Sequence, residues 1–547
     1  MPSNLKGRVP SLLLAAWACA LSFWMSRYFF LSGPAEIPST NEAFAYVYRL
    51  IDFHDALTSG RWFPQWSVFV RNGLGEPLFG YYQPGFFYLA SFWLCFLSPI
   101  RALGAAVFSA SLAGYAGMYC LVARRFDRLA GAFAATVLLL SVYPATEIFV
   151  RGDLSEYAAM MLVPWALHCL WLHLEEGGRK TMAGLALSSG ALAFTHACVA
   201  LPAFMLFGAV IVAHGTATRR WKAAAATTGA LGVGLGIASF YTLPVLLEWN
   251  LISSKDTFTD WYDYRKHFLS WTSLFSGYTR QTPIPATIGP VLPVLLGISL
   301  LFAALQWKTW DSPRRRFFLF LIAASVGSYF MMTQSSAPLW RLVPPLAKLQ
   351  FPWRLYALAS VAMAAWAGAV LPSERSARRL ILVAGSVLAL SWLSLQATEI
   401  PPMVPVDIPQ RGQDLVRVDY FPDGHGDWLP RDAKPFPPGQ APTLKVSSPD
   451  CRAWDLELAQ GSLRFQVQAA SGCRVTPPHY FFPAGWRARY QGKPIALERD
   501  PDGLMQVAIP AGTTGAVELT FGATPMRRLG LVLTGLSLAL AGWWLLY

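Results

Sequence analysis

The stretch Leu121-Val122-Ala123-Arg124-Arg125-Phe126-Asp127-Arg128-Leu129-Ala130 places three arginines between two long apolar runs. Which side of a membrane they occupy decides how the whole chain is threaded. Runs long enough to cross a hydrocarbon core as helix, about 20 residues, begin near residues 10, 85, 102, 129, 158, 181, 199, 223, 288, 317, 355, 380 and 529. If every run crosses, Arg124, Arg125 and Arg128 fall outside and each later basic loop is inverted. If the 85–100 run lies in the interface, the basic groups share one side. They are Lys6/Arg8, Arg124/Arg125/Arg128, Arg179/Lys180, Arg219/Arg220/Lys222, Lys308/Arg314/Arg315/Arg316 and Arg375/Arg378/Arg379. That is the positive-inside pattern. The 85–100 run carries Phe86, Phe87, Tyr88 and Trp93, an aromatic density that suits the headgroup level. The reading is therefore about twelve transmembrane helices with both termini inside.

Composition agrees. Of 547 residues, 54% are hydrophobic and 14% charged, with a net charge of +13. Soluble proteins carry about 25% charge, so a fully hydrated surface is excluded, as is intrinsic disorder. The basic excess belongs to inner loops and argues for a lipid bilayer, not nucleic acid, as partner. The apolar start after Lys6 and Arg8 is longer than a signal-peptide core and lacks a clean cleavage site near Ala18-Cys19-Ala20, so it reads as a retained signal anchor.

Domain expectations follow. Residues 1–397 form the transmembrane domain, with a first outer loop (31–101) containing an interfacial helix (85–100). Residues 398–525 form an extracytoplasmic antiparallel β-sandwich, and 526–547 a final transmembrane helix. The strand signals are period-2 runs such as Trp454-Asp455-Leu456-Glu457-Leu458 and Leu463-Arg464-Phe465-Gln466-Val467, separated by turns such as Gln460-Gly461 and Asp502-Gly503. Cys451 and Cys473 lie in this polar stretch, and its outer placement makes a disulfide between them the expectation. No CxxC or Cys/His metal spacing occurs, so no metal ligand set is named and a divalent cofactor stays open.

Charge at a bilayer boundary is costly and so informative. The first loop carries Glu42, Arg49, Asp52, His54, Asp55, Arg61 and Arg71. Farther on stand Arg151, Asp153, Glu156, His196, Glu248 and Arg354. Each has a plain alternative. Glu42 could be a solvated loop acid, and Asp153 with Glu156, three apart on one helical face, could serve only to pair Arg151. His196 could be a satisfied core histidine, Glu248 a cap, and Arg354 a snorkelling cation. Against these stands convergence on one face of the bilayer. A lipid-phosphate substrate needs guanidinium groups for its phosphate, a carboxylate within reach of an incoming hydroxyl and aromatic walls for a sugar.

The segments Glu42-Ala43-Phe44-Ala45-Tyr46, Gly60-Arg61-Trp62-Phe63-Pro64-Gln65-Trp66, Tyr81-Tyr82-Gln83-Pro84, Arg151-Gly152-Asp153-Leu154-Ser155-Glu156, Thr195-His196 and Gln350-Phe351-Pro352-Trp353-Arg354 resemble bacterial polytopic proteins related to the YfhO-like and GT-C glycosyltransferases. Some of these carry the name "6-pyruvoyl-tetrahydropterin synthase-related", although no His-rich zinc triad is present here. The resemblance implies a polyprenyl-phosphate-linked sugar donor and a carboxylate just after the first span. That carboxylate falls on Glu42, where relatives usually have Asp, and Tyr46 stands where they often have His. Its implications are a glycosyltransferase in a bacterial cytoplasmic membrane acting on a glycan, lipid or protein acceptor. Glu42 would be the general base, with Asp153 and Glu156 orienting substrate or assisting a metal. Arg354 and Arg151 would hold phosphate, and Tyr46, Trp66 and Tyr82 would contact sugar, with His196 and Glu248 as further substrate contacts. The alternatives are a non-catalytic polysaccharide assembly or export factor and a lipid-linked glycan transporter.

Overall fold

A computed structural model of the chain describes residues 3–253, 262–272, 297, 300, 301, 303–371, 383–389, 402–418, 428–436, 443–483 and 485–546. Seven helices among them are long and apolar enough to cross a membrane. They are α1 (Ser3–Leu31, apolar from Ser11), α4 (Pro99–Ala123), the run of α5 (Arg128–Leu140) continued to Arg151, α6 (Leu154–Glu176), α8 (Ala197–Thr218), α11 (Ser312–Met332) and α13 (Pro525–Leu546). An eighth forms if α9 (Trp221–Ile237) and α10 (Ser239–Leu247), bent by 80°, make one span. The expected spans at 181 and 355 form α7 (Arg179–Thr195, 17 residues) and α12 (Tyr356–Ala369, 14 residues). At 1.5 Å per residue both fall short of an apolar core about 30 Å thick. The expected spans near 288 and 380, and the Arg375/Arg378/Arg379 loop, lie largely or wholly outside the described residues.

The helix ends sort by charge. At one end Arg124 pairs with Glu176 (2.5 Å) and Arg125 with Glu175 (2.9 Å), while Arg220 donates to the Glu175 carbonyl and Arg314 to that of Arg125. The opposite end carries the first loop. There α2 (Ala43–Thr58) and the ten-residue α3 (Gly85–Leu94) lie between α1 and α4 in sequence. At ten residues α3 is about half a span. It buries Phe86, Phe87 and Ala90 and leaves Phe92 exposed.

The C-terminal strands make two antiparallel sheets. One holds β3 (Lys445–Val446), β6 (Cys473–Thr476), β10 (Met505–Ile509) and β9 (Leu497–Arg499). The other holds β4 (Cys451–Ala459), β5 (Ser462–Ala469), β11 (Thr513–Phe521), β7 (Trp486–Tyr490) and β8 (Lys493–Ile495). The alternation read from the sequence sets the faces: Leu463, Phe465 and Val467 are buried, as are Val517 and Leu519 across the pairing. The expected disulfide is formed, and it ties β4 of one sheet to β6 of the other.

This region sits on the first loop through named contacts. Arg61 donates to the carbonyls of Gln460, Gly461 and Phe521 (2.6–3.2 Å). The indole of Trp66 donates to His479 Nε2 (2.8 Å), so the proton of that ring is on Nδ1, which meets the Gly73 carbonyl at 2.7 Å. Gly75, at φ +70°, lies against both rings, and a Cβ there would strike them. A short clip, β1 (Glu36–Pro38) against β2 (Met403–Pro405), closes the loop four residues before Glu42.

Candidate functional site: a buried acid–arginine network beside Glu42

Helix α2 is amphipathic in a way that fixes the site. With 3.6 residues per turn, Glu42, Tyr46, Arg49 and Phe53 share one face. The start of α2 is held by the loop between α5 and α6, because the Asn41 and Glu42 amides donate to the Val150 and Arg151 carbonyls (3.2 and 3.1 Å). That loop turns through Gly152 at φ +72°, where a Cβ would collide with the Thr40 hydroxyl. Pro144 cannot donate a hydrogen bond; it lies just past the break at Ser141, and a π-helical turn, Glu147–Arg151, follows.

Asp153 then caps α6, its Oδ1 accepting from the Glu156 amide (3.0 Å) and from the Tyr46 hydroxyl (2.9 Å). Glu156, one turn into the helix, takes the Tyr143 hydroxyl on Oε1 (2.6 Å). Its Oε2 receives Arg151 (2.9 Å) and Arg354 (3.2 Å). Arg151 also pairs with Glu147 and reaches Asp153 (3.4 Å), with its guanidinium over the Trp353 ring. His196, in the extended link between α7 and α8, brings Nε2 within 3.6 Å of Asp153 and 3.9 Å of Glu156. Burial alone raises the Asp153 carboxyl, but His196, Arg151 and Arg354 outweigh it and hold it well below the usual carboxylate range.

Glu42 stands at the edge of this network. Its Oε2 is 3.1 Å from Arg49 and 3.4 Å from the Tyr82 hydroxyl, which also meets the Tyr46 hydroxyl (3.3 Å). Arg49 lies over the Tyr82 ring. The Glu42 side chain is 36% exposed, against 0% for Glu147 and Glu156 and 4% for Asp153. Burial, first, and the nearby acids push the Tyr46 phenol well above its ordinary range. Burial does the same at Tyr82, so both remain hydroxyl donors.

Seven of the ten residues singled out from sequence meet here: Glu42, Tyr46, Tyr82, Arg151, Asp153, Glu156 and His196. Arg354 joins them through Glu156. Two do not. Trp66 is buried against His479, Trp486 and Phe521, in the seam with the sandwich. Glu248 lies at the end of α10, with its carboxylate on Thr524 (2.8 Å) and its carbonyl on the Tyr81 hydroxyl. Glu147 escaped the sequence reading, although an acid inside an apolar run, four residues before an arginine, is the signal that finds it.

Ligand atoms of Asp153, Glu156 and His196 lie within 4.8 Å of one another, a donor set that suits a divalent cation in number and type. Two guanidinium groups already meet Glu156 Oε2, so a cation there faces two positive charges. In this arrangement the three residues fit a metal poorly.

Solved structures to which the chain is similar include those of two proteins. One is the arabinofuranosyltransferase AftD from Mycobacteria, at 19% identity over 72% of this chain and 27% of that one, with a TM-score of 0.45. The other is ArnT from Cupriavidus metallidurans, in a structure bound to undecaprenyl phosphate, at 19% identity over 71% of this chain and 64% of that one, also with a TM-score of 0.45. The chain thus spans about a quarter of the first protein and under two thirds of the second. No curated protein matches it. The family model that matches, over residues 79–400 and so over more than half of the length, is described as 6-pyruvoyl-tetrahydropterin synthase related domain, membrane protein. This chain belongs to that family of membrane proteins.

Proposed function

We propose that the protein is a membrane glycosyltransferase of the GT-C kind, transferring a sugar from a polyprenyl-phosphate donor to a glycan, lipid or protein acceptor at the outer face of a bacterial cytoplasmic membrane. The observation that carries the reading is the contrast in access among the clustered acids. Glu147, Asp153 and Glu156 are sealed and paired, while Glu42 opens to solvent with Arg49 and Tyr82 fixing one oxygen. A carboxylate so placed takes the proton of an acceptor hydroxyl. That oxygen forms the new bond to the anomeric carbon, the bond from that carbon to the phosphate oxygen breaks, and polyprenyl phosphate leaves with the electron pair. Among the described residues Nη2 of Arg354 has no partner, whereas Nε and Nη1 are taken by Glu156, Cys198, Leu349 and Gln350. Nη2 is the edge offered to the phosphate. Arg151, committed to three carboxylates, sets the geometry behind it.

The test is release of polyprenyl phosphate from a labelled polyprenyl-phosphate sugar in detergent, with candidate acceptors. Glu42→Gln lowers release about 10²- to 10⁴-fold, the range for a positioned general base. An unchanged rate removes the mechanism. The saturation of Arg151 by protein carboxylates favours a second reading, a non-catalytic assembly or export factor on the same scaffold. It predicts no release by the wild type and full function of Glu42→Gln in cells.

A further inference from the structure

A cavity of about 740 Å³ opens at the acid-rich end, on the face of α2 opposite Glu42. Counting 3.6 residues per turn, Ile51, Asp55 and Thr58 point roughly opposite Glu42, Tyr46 and Arg49. The other walls are the chain at Pro34 leaving α1, the start of α4 at Ser98 and Pro99, and the strap after β2, which contributes Asp407 and Arg411. Its depth in the bilayer follows from the spans. Leu31 ends α1 three residues before Pro34, and Ser98 immediately precedes α4. The cavity therefore lies at the headgroup boundary, and nearby side chains are apolar and exposed: Leu31, Phe92 and Phe96 are 72%, 56% and 69% accessible.

Its walls carry both signs of charge. Asp55 and Asp407 supply carboxylates, and Arg411 supplies a guanidinium. Ser98 and Pro99 line the cavity and Ser98 makes no side-chain cap, so the uncapped positive end of the α4 dipole borders it. A wholly anionic headgroup would meet two carboxylates with no counter-charge of its own, at a cost in like-charge repulsion. A headgroup bearing both a phosphate and a primary ammonium matches the set. We propose that this cavity holds the headgroup of a zwitterionic aminophospholipid. The ammonium lies toward Asp55 and Asp407, the phosphate toward Arg411 and the α4 N-terminus, and the acyl chains run out past Phe92 and Phe96. This stands independently of the transferase reading.

The experiment is a native mass-spectrometric titration of the full-length protein in detergent with phosphatidylethanolamine, phosphatidylglycerol and phosphatidylcholine. Wild-type protein retains phosphatidylethanolamine about tenfold more strongly than either of the others. Asp407→Asn and Arg411→Ala, both on exposed strap positions, each lower that retention about tenfold, the scale of one charge-assisted hydrogen bond. Ala35→Trp, filling the cavity from an exposed position, abolishes retention while leaving the lipid-free melting temperature unchanged. Equal retention of the three lipids overturns the proposal, as does indifference to all three variants. Displacement of phosphatidylethanolamine by maltotriose also overturns it, because the cavity is then a glycan site.

Discussion

The two ends of the helix bundle use charge in opposite ways. At the basic end Arg124 and Glu176 are about half exposed (56% and 49%), and the neighbouring arginines lean on backbone carbonyls. At the other end Arg151 is sealed among Glu147, Asp153 and Glu156, with Arg354 sharing the last. Water screens the Arg124–Glu176 pair, which contributes about 0–1 kcal/mol; Arg125, 5% exposed and paired with Glu175, is the buried exception at that end. The sealed network has no solvent to fall back on. Removing one partner leaves buried charge uncompensated, at about 3–5 kcal/mol. The basic end can lose its exposed pair, whereas the acid-rich end depends on every member of its network.

The comparison breaks most readily at Arg151. Arg151→Ala leaves three carboxylates facing one remaining guanidinium, and thermal unfolding in detergent should show a loss of about 3–5 kcal/mol or no folded protein. A loss below about 1 kcal/mol would mean that the cluster is hydrated after all. Next comes the sandwich capping that end. Replacing Cys451 and Cys473 by Ser opens a link spanning 22 residues and should cost about 2–4 kcal/mol, read as an earlier unfolding step or increased proteolysis of residues 443–521.

A finer test uses the seam. Burial pushes the His479 imidazole down to about 3, with the Gly73 carbonyl acting weakly the other way. Its ordinary value is about 6.5, so the unfolded chain takes a proton that the folded chain refuses. This stability is present above pH 6.5 and is lost as pH falls, by about 1.4 kcal/mol per pH unit. Asp52 works in reverse. Burial raises it to about 6, against the hydrogen bonds from Ser67 and Gln460, so its contribution is full below about pH 4 and is lost as pH rises through 6. Between pH 4 and 6 the two slopes nearly cancel. Asp52→Asn should expose the His479 slope, with stability falling as the medium is acidified, and His479→Gln should expose the opposite one. Parallel pH profiles for wild type and both variants would refute the assignment. The smallest effect belongs to the basic end: Arg124→Ala should change stability by less than about 1 kcal/mol.

How much of this was legible in the sequence depends on range. The strand faces and the Asp153–Glu156 pair are local patterns, with periods of two and of about one helical turn, and both are found as read. The gathering of Glu42, Arg151, His196 and Arg354 at one end required only the charge of the loops. Trp66 misled because its partners, His479 and Phe521, lie some four hundred positions away, and an aromatic beside Pro64 looks the same whether it meets sugar or a domain seam. Glu147 was missed because a single acid scarcely lowers the hydropathy of its run. Helix ends are less legible than apolar stretches, as at α7 and α12, since hydropathy marks an apolar run and not where a turn interrupts it.

The clip of β1 against β2 has a consequence for biogenesis. Residues 36–38 leave the ribosome more than three hundred and fifty residues ahead of their partners at 403–405. Pairing so distant is slow to form. The segment leading into Glu42 is thus completed long after it is made, and a nascent chain stalled before residue 403 would carry the acid-rich cluster without the clasp that closes it.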